Sequence, residues 1–332
     1  MRTPWRRILS LAPSCGVLLA LPLSGAGLAQ APPNDNCANA IPMVDGPNGP
    51  YTNAGATNDP ADPPFACSDG GTDVWYTYTA SCSGTLVFSM CAAYGGTWDY
   101  DAMLNIYTGT CGALTSVGCS DDYCAAAATG SQVTVYCVQA GQNFRIRVGG
   151  YGLGVGDVGN FTLAIQCSVP PPPPANDDCG AAIPILDGAN PGLDSDGATT
   201  NPGDPPFPCA LGGSDAWYSY TATCTGATTF SLCGSTTSPH DALLAVYSGS
   251  CGSIALLGCN NDACGPTGTD PQVSVATTSG STYLVRVGGA GTCALTGTFA
   301  IDVTCTPPPA NDECAAPAAL ATGLNGPFDN TG

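Results

Sequence analysis

Three Asp residues in two separate segments of the first half of the chain could together bind one cation. Asp101 opens an alternating apolar segment, and Asp121 and Asp122 lie between two cysteines further along. If the flanking strands are neighbours, three carboxylates meet beside a turn, and Ca²⁺ takes about six to eight oxygen ligands of this type. Turns also explain such residues without a metal, because Asp side chains accept hydrogen bonds from nearby backbone. The second half of the chain has the matching set Asp241, Asn261 and Asp262, so calcium is the cofactor that the sequence suggests.

A second candidate site is a loop rich in aromatic residues in the first half of the chain. Exposed rings beside a carboxylate can stack on sugar rings while the carboxylate accepts hydrogen bonds from hydroxyls, which would suit an extracellular polysaccharide. The rings could instead fold onto their own sheet, since single surface aromatics are common. The matching loop, 234–240, has no aromatic residue, so a site here belongs to one half only. The residues concerned are Tyr94, Trp98, Asp99 and Tyr100.

Residue types that catalysis needs are scarce. His240 is the only histidine and the chain has no lysine, so the first half has no Ser-His-Asp triad and the whole chain has no Schiff-base lysine. Asp residues could form a glycosidase pair, but they are scattered through turn segments. We therefore expect no enzyme activity within residues 31–305.

The first 29 residues have the organisation of a secretory signal peptide. Arg2, Arg6 and Arg7 precede an apolar run over 8–23, and a small-x-small cleavage site follows at 27–29. The rest of the chain keeps three arginines against 25 acidic residues, which repels nucleic acid and anionic membrane surfaces. No later stretch approaches the roughly 18 apolar residues of a membrane span. We expect a secreted or cell-surface protein.

The chain contains twenty cysteines, which behind a signal peptide predict disulfide bonds. No CxxC pair occurs, and one histidine does not complete a zinc site. Eight cysteines occur in the same order in each half of the chain. The eight in the first half are Cys37, Cys67, Cys82, Cys91, Cys111, Cys119, Cys124 and Cys167, and they match Cys179, Cys209, Cys224, Cys233, Cys251, Cys259, Cys264 and Cys305.

Spacing alone leaves the cysteine pairing open, since eight cysteines allow 105 combinations. As a working hypothesis we pair Cys37 with Cys67, Cys82 with Cys167 and Cys119 with Cys124. The same scheme pairs Cys179 with Cys209, Cys224 with Cys305 and Cys259 with Cys264. Cys137 and Cys293 have no counterparts, and are expected to be free thiols or a bridge between the halves.

The halves are repeats of one domain. The segment 34–42 recurs at 176–184, and a third start appears at 311–314. Proline-rich joints precede the second and third starts, and polyproline is an extended, semi-rigid spacer. We predict a signal peptide at 1–29, domains at 31–168 and 175–305, linkers at 169–174 and 306–309, and the truncated start of a third repeat at 310–332. That start is too short to fold alone, so we expect the sequence to be a fragment.

Short alternating runs bounded by Gly, Pro, Asn and Asp predict strands. In the first repeat they cover 74–79, 85–89, 101–107, 114–118, 132–138, 144–148 and 161–165, and in the second 283–287 and 299–303. In the run 144–148 the apolar residues should point inward and Arg145 and Arg147 outward. Trp75 and Trp217 match between repeats and should be core anchors. These patterns predict an all-β fold of tandem jelly-roll-like β-sandwich domains stapled by disulfides.

The order of several segments resembles the bacterial pre-peptidase C-terminal domain. The segments are 73–76, 101–107, 120–122, 133–135, 141–148 and 159–163, with counterparts at 215–218, 241–247, 260–262, 280–287 and 297–301. The resemblance implies a jelly-roll sandwich that accompanies secreted enzymes, often proteases, without catalysing anything; some relatives bind calcium or extracellular polymers. The high cysteine density departs from that family.

Three functions remain open at this point. The first is a secreted, non-catalytic binding or adhesion array, calcium-stabilised, that binds extracellular polysaccharide or protein. The second is an accessory segment of a larger secreted hydrolase with its catalytic domain elsewhere. The third is a structural spacer.

Overall fold

A computed structural model describes residues 30–124, 129–154, 156–235, 241–264, 268, 270–291, 293–309, 318–324 and 326–327. The expected signal peptide, His240 and the segment 310–317 lie outside the described residues. Within these ranges about half of the residues lie in strands, and the helices are three single-turn 3-10 helices at Cys37–Asn39, Ala92–Tyr94 and Cys179–Ala181. No helix among the described residues is long and apolar enough to cross a membrane.

The strands form two sets of sheets, one in each half of the chain. The first half contains β1 (Ile41–Pro42), β2 (Gly46–Thr52), β3 (Gly70–Thr79), β4 (Gly84–Ser89), β5 (Thr97–Trp98), β6 (Ala102–Thr110), β7 (Ala113–Ser120), β8 (Gln132–Val138), β9 (Asn143–Tyr151) and β10 (Asn160–Ser168). The second half contains β11 (Ile183–Ile185), β12 (Gly188–Asp194), β13 (Gly212–Thr221), β14 (Gly226–Ser231), β15 (Ala242–Ser250), β16 (Ser253–Asn260), β17 (Gln272–Thr277), β18 (Thr282–Ala290) and β19 (Thr298–Thr306).

Each half is a two-layer β-sandwich. In the first domain a front sheet has the order β1-β3-β9-β6-β7 and a back sheet the order β2-β10-β4-β8, with β5 on β10. The second domain repeats this as β11-β13-β18-β15-β16 and β12-β19-β14-β17. Pairing is antiparallel except where β1 joins β3 and β11 joins β13. The all-β, jelly-roll-like fold class predicted from the sequence is therefore the observed one.

The core lies between the two sheets and follows from the alternation of the strands. Alternate residues of β3, Val74, Tyr76 and Tyr78, point inward and pack against Phe88 and Phe161 of the back sheet. Most strands extend beyond their predicted bounds; β8 begins and ends where the alternation predicted. The strands β2 and β12 were not predicted, because their Gly and Pro residues are typical of loops.

A second apolar layer covers the outer face of the front sheet. Trp75 lies there, fully buried, beside Tyr107 and the Cys37–Cys111 disulfide. Trp217 occupies the matching place in the second domain. The prediction that both tryptophans are core anchors is confirmed by their burial.

Arg147 points out of the sandwich core, as the alternation predicted. It is nevertheless buried, because the segment 59–67, here called the strap, folds over its side chain. The guanidinium donates to Asp73 at 2.6 Å and to the Pro63 carbonyl, and it lies 4.3 Å from the Phe65 ring centroid. Burial raises the pKa of Asp73 to about 6, while its bond to Arg147 opposes that rise.

The second domain repeats this arrangement residue for residue. Arg286 donates to Asp215 at 2.6 Å and to the Pro205 carbonyl, under the ring of Phe207 at 4.2 Å. The strap of the first domain, and the matching segment 201–209 of the second, are therefore each held to a buried arginine by one hydrogen bond to a backbone carbonyl and one cation–π contact.

The disulfides form a different framework from the one hypothesised. Cys82–Cys167 and Cys224–Cys305 are present as expected. The pairs Cys37–Cys67 and Cys119–Cys124, and their counterparts Cys179–Cys209 and Cys259–Cys264, were wrong. The observed bonds are Cys37–Cys111, Cys67–Cys119 and Cys91–Cys124, repeated as Cys179–Cys251, Cys209–Cys259 and Cys233–Cys264. Cys137 bonds Cys293 and so bridges the two domains.

We expect the Arg147→Ala substitution to destabilise the first domain by about 3–5 kcal/mol, because it leaves the buried Asp73 carboxylate without its cation. Guanidinium unfolding under non-reducing conditions measures this, with the unchanged second domain as internal reference. Arg145→Ala, on the half-buried neighbour two residues away, should cost well below about 1 kcal/mol. Equal losses in the two variants would contradict this role for Arg147.

Candidate functional site

The acidic loop of each domain is anchored by disulfides at both of its ends. In the first domain this loop spans 119–124; Cys119 bonds Cys67 of the strap and Cys124 bonds Cys91. In the second domain Cys259 and Cys264 are bonded in the same way, to Cys209 and Cys233. A short loop held at both ends keeps little conformational freedom, so its side chains stay in place.

Three carboxylates converge at the acidic loop of the first domain. Asp101 immediately precedes β6, while Asp121 and Asp122 follow its neighbour β7. One oxygen from each of the three lies within 4.8 Å of the others. The buried Ser131 hydroxyl lies 2.6 Å from the Ala102 carbonyl oxygen and 2.7 Å from that of Asp121, which ties the two strand ends together. The predicted meeting of Asp101, Asp121 and Asp122 is therefore present in the structure.

Matching acceptor oxygens in both domains are buried without a hydrogen-bond partner among the described residues. In the first domain they are Oδ1 of Asp101 and Oδ1 of Asp121; in the second they are Oδ1 of Asp241 and Oδ1 of Asn261. A buried acceptor that bonds nothing costs free energy, and buried polar groups are almost always paired. A cation bound at these oxygens would remove that cost, so the donor set suits Ca²⁺.

Electrostatic repulsion among the carboxylates of the first site also favours a bound cation. Burial raises the pKa of Asp101, and the neighbouring carboxylates of Asp121, Asp122 and Asp157 raise it further. Burial also raises the pKa of Asp121, against a hydrogen bond from Ser68. A divalent cation would favour the ionised carboxylates that this environment otherwise disfavours.

The second domain carries a weaker version of the same site. The backbone amide of Ala290 donates to the Asp241 carbonyl, as that of Tyr151 donates to the Asp101 carbonyl. Asn261 and Asp262 follow β16, and the Asn261 side-chain amide donates to Asp262 at 2.9 Å. Burial raises the pKa of Asp241, with the Asp262 carboxylate adding to the rise. The set has two carboxylates and one amide, so it should hold a cation less tightly than the first.

Two exposed tyrosines flank the first site and have no equivalent in the second. Tyr123 follows Asp122 in the acidic loop and is 61% exposed, while Tyr151, whose amide binds Asp101, is 47% exposed. Ala263 and Ala290 occupy their positions in the second domain. Sequence analysis did not select these tyrosines; the signal available was the Tyr-to-Ala difference between aligned repeats.

The aromatic loop takes the second of the two arrangements considered, in which its rings fold onto their own sheet, so it does not form an exposed stacking surface. Its strand β5 pairs with β10 and folds the loop onto the sheet. Tyr100 is buried against Phe161, and the half-buried Trp98 donates its indole N–H to Thr129 at 3.0 Å. Asp99 accepts from the amide and the side chain of Asn160. Tyr94 remains partly exposed, three residues from the cysteine that anchors the acidic loop.

Comparison with known proteins identifies no family. No family model matches the chain, and no curated protein matches it. Among solved structures, the chain is similar to the tandem CBM51 modules of the family 98 glycoside hydrolase from Streptococcus pneumoniae, at 10% identity over 71% of this chain and 80% of that one, with a TM-score of 0.18. It is also similar to the CUB1-EGF-CUB2 domains of rat MASP-1, at 10% identity over 80% of this chain and 99% of that one, with a TM-score of 0.19. Likenesses at these scores identify neither a fold family nor a ligand.

We expect calcium to raise the melting temperature of the protein by about 5–10 °C at roughly one hundred times its dissociation constant, since binding to the folded state alone adds about 2.7 kcal/mol. The shift should shrink as the pH falls through the raised pKa values of Asp101 and Asp121, because protons then compete with the ion. Scanning calorimetry with and without a chelator, from neutral to acid pH, measures this. The Asp101→Asn variant should keep only the part that belongs to the second domain. Identical melting in calcium and in chelator would contradict the site.

Proposed function

We propose that the chain is a secreted, non-catalytic binding module in which calcium orders one end of each domain and the first domain binds an extracellular polysaccharide there. One observation carries the proposal. The same doubly anchored acidic loop, with unpartnered buried oxygens, occurs in both domains, while the exposed tyrosines Tyr123 and Tyr151 occur at the first alone. The second domain thus has the stabilising site without the recognition surface.

Coordination chemistry links the metal to the polymer. Three carboxylates alone do not complete the shell of about six to eight oxygens that Ca²⁺ prefers. Water or hydroxyl oxygens would take the remaining positions around a bound ion, and a sugar with neighbouring hydroxyls would supply such oxygens. Tyr123 directly follows Asp122, and the amide of Tyr151 donates to the Asp101 carbonyl, so two exposed tyrosines adjoin the site. Such rings can stack on the apolar faces of sugar rings and hydrogen-bond through their phenol groups.

The charge distribution favours a neutral polymer over an anionic one. Of the three arginines beyond residue 29, Arg147 and Arg286 are buried in ion pairs. Arg145 is half-buried. With 25 acidic residues in the chain, an anionic polymer or a nucleic acid would be repelled.

The disulfide framework supports an extracellular location, because such bonds form and persist in oxidising compartments. Nine bonds join described cysteines. The resemblance to pre-peptidase C-terminal domains fits the same proposal, since such domains accompany secreted enzymes without catalysing their reactions.

We expect the protein to be retained by an insoluble neutral polysaccharide, such as cellulose, chitin or xylan, in calcium and to be released by chelator. The double variant Tyr123→Ala, Tyr151→Ala gives the first domain the residues of the second, and should lose at least tenfold in affinity. Calcium-dependent melting should be unchanged, which shows that the site itself is intact. Depletion binding isotherms on each polysaccharide measure the affinity.

Two controls make the assay specific. Tyr136→Ala removes a tyrosine that is 38% exposed and lies on β8, outside the acidic loop, and should leave binding unchanged. Retention that survives both the chelator and the Tyr123, Tyr151 double substitution would contradict the proposal, and so would the absence of retention on every polysaccharide.

A further inference from the structure

The junction between the two domains defines a docking face on the first domain. The second domain sits against the end of the paired strands β4 and β8 and against the linker that follows β10, around a cavity of about 440 Å³. The first domain and linker contribute Gly84, Thr85, Tyr136, Cys137, Ser168, Val169, Pro170 and Pro171 to the walls of the cavity, and the second domain contributes Asp196, Gly197, Ala198, Ser214 and 293–297. The Cys137–Cys293 disulfide fastens the two sides.

Local backbone geometry is specialised at this junction. β8 carries a bulge opposite Thr85, where Cys137 adopts a left-handed conformation with φ 57° and is re-aimed at the second domain. On the other side Ser214 (φ 49°) and Ala294 (φ 44°) adopt the same rare conformation. A side chain at Gly197 would collide with the carbonyl oxygens of Pro171 and Pro172, so this turn packs directly on the linker.

The second domain has the same face. Ala276 pairs with Ala227 in β14 and stands where Tyr136 stands in the first domain. The chain also packs in the same way where each linker begins. A side chain at Gly84 would collide with the Ser168 carbonyl before the first linker, and one at Gly226 would collide with the Thr306 carbonyl before the second. In the second domain this face borders an open depression of about 560 Å³ lined by Thr225, Gly226, Ala227, 274–278 and Pro308.

The end of the chain supplies a matching occupant. Residues 311–332 repeat the start of each domain: Gly323, Asn325, Gly326, Pro327 and Gly332 align with Gly46, Asn48, Gly49, Pro50 and Gly55. In the same alignment Gly332 takes the place of Gly197, the residue that packs on the first linker.

The second linker is shorter than the first, and the second face has more room for the segment that follows it. Eight residues lie between Cys305 and Cys314, against eleven between Cys167 and Cys179, so the second linker is three residues shorter. Three residues make about one turn of polyproline helix, roughly 9 Å, so the segment that follows the second linker keeps its orientation about the linker axis and lies closer to the face. The second face leaves room for this approach, because Ala276 is smaller than Tyr136 and β17 pairs with β14 without a bulge.

We propose that the face of the second domain formed by Gly226, Ala227, 276–278 and Pro308 receives the segment 310–332, with Gly332 in the place that Gly197 takes on the first domain. No cysteine stands at the position of Cys137, so this second junction is not covalent.

A photoreactive benzophenone side chain placed at position 276 of the full chain tests the proposal. On irradiation we expect crosslinks within the same chain to residues 310–332, identified by mass spectrometry of the digested monomer. The same side chain at position 136 is the positive control and should crosslink to 293–297. At Gln272, at the far end of β17, it should give no such product.

Two outcomes would overturn the proposal. Crosslinks from position 276 that join two chains, and rise with protein concentration, would mean that a second copy occupies the face. No product from position 276, while position 136 reacts, would mean that the third repeat does not dock there.

Discussion

The geometry of the candidate site depends on one covalent constraint, the anchoring of each acidic loop at both ends. Cys119 and Cys124 are five residues apart, yet they bond to two different segments, the strap at Cys67 and the loop after β4 at Cys91. The six-residue loop therefore cannot relax away from Asp101, even though its carboxylates repel one another. Disulfides here hold like charges together, which non-covalent contacts alone would oppose.

The buried arginine extends this constraint through the domain. Arg147 is fixed by Asp73 of β3 and covered by Phe65 of the strap, and the strap ends at Cys67. The strap, the front sheet and the acidic loop thus form one connected unit. Arg286, Asp215, Phe207 and Cys209 repeat this unit in the second domain, which indicates that the arrangement belongs to the repeat itself.

Sequence reasoning found the repeat, the all-β class, most strands and the three converging carboxylates, because these depend on alternation and register. It did not predict features that depend on which elements become neighbours in the fold, such as two of the strands, the cysteine pairing and the burial of Arg147. The strands β2 and β12 are hidden by Gly and Pro, and they exist because β10 and β19 provide a pairing edge. The pairing of Cys119 required knowledge of the strap. Alternation placed Arg147 outside the core correctly, but could not show that the strap covers it. Tyr123 and Tyr151 become a candidate surface only once both are seen beside Asp101.

Calcium stoichiometry is the most direct measure of the central claim, that the two anchored loops are cation sites. Isothermal titration of the chelator-treated chain with CaCl₂ at neutral pH should give two sites, the tighter with three carboxylates and the weaker with two. Asp241→Asn should remove the weaker site and leave the tighter one. A titration without binding heat, or a stoichiometry that neither Asp101→Asn nor Asp241→Asn changes, would contradict the account.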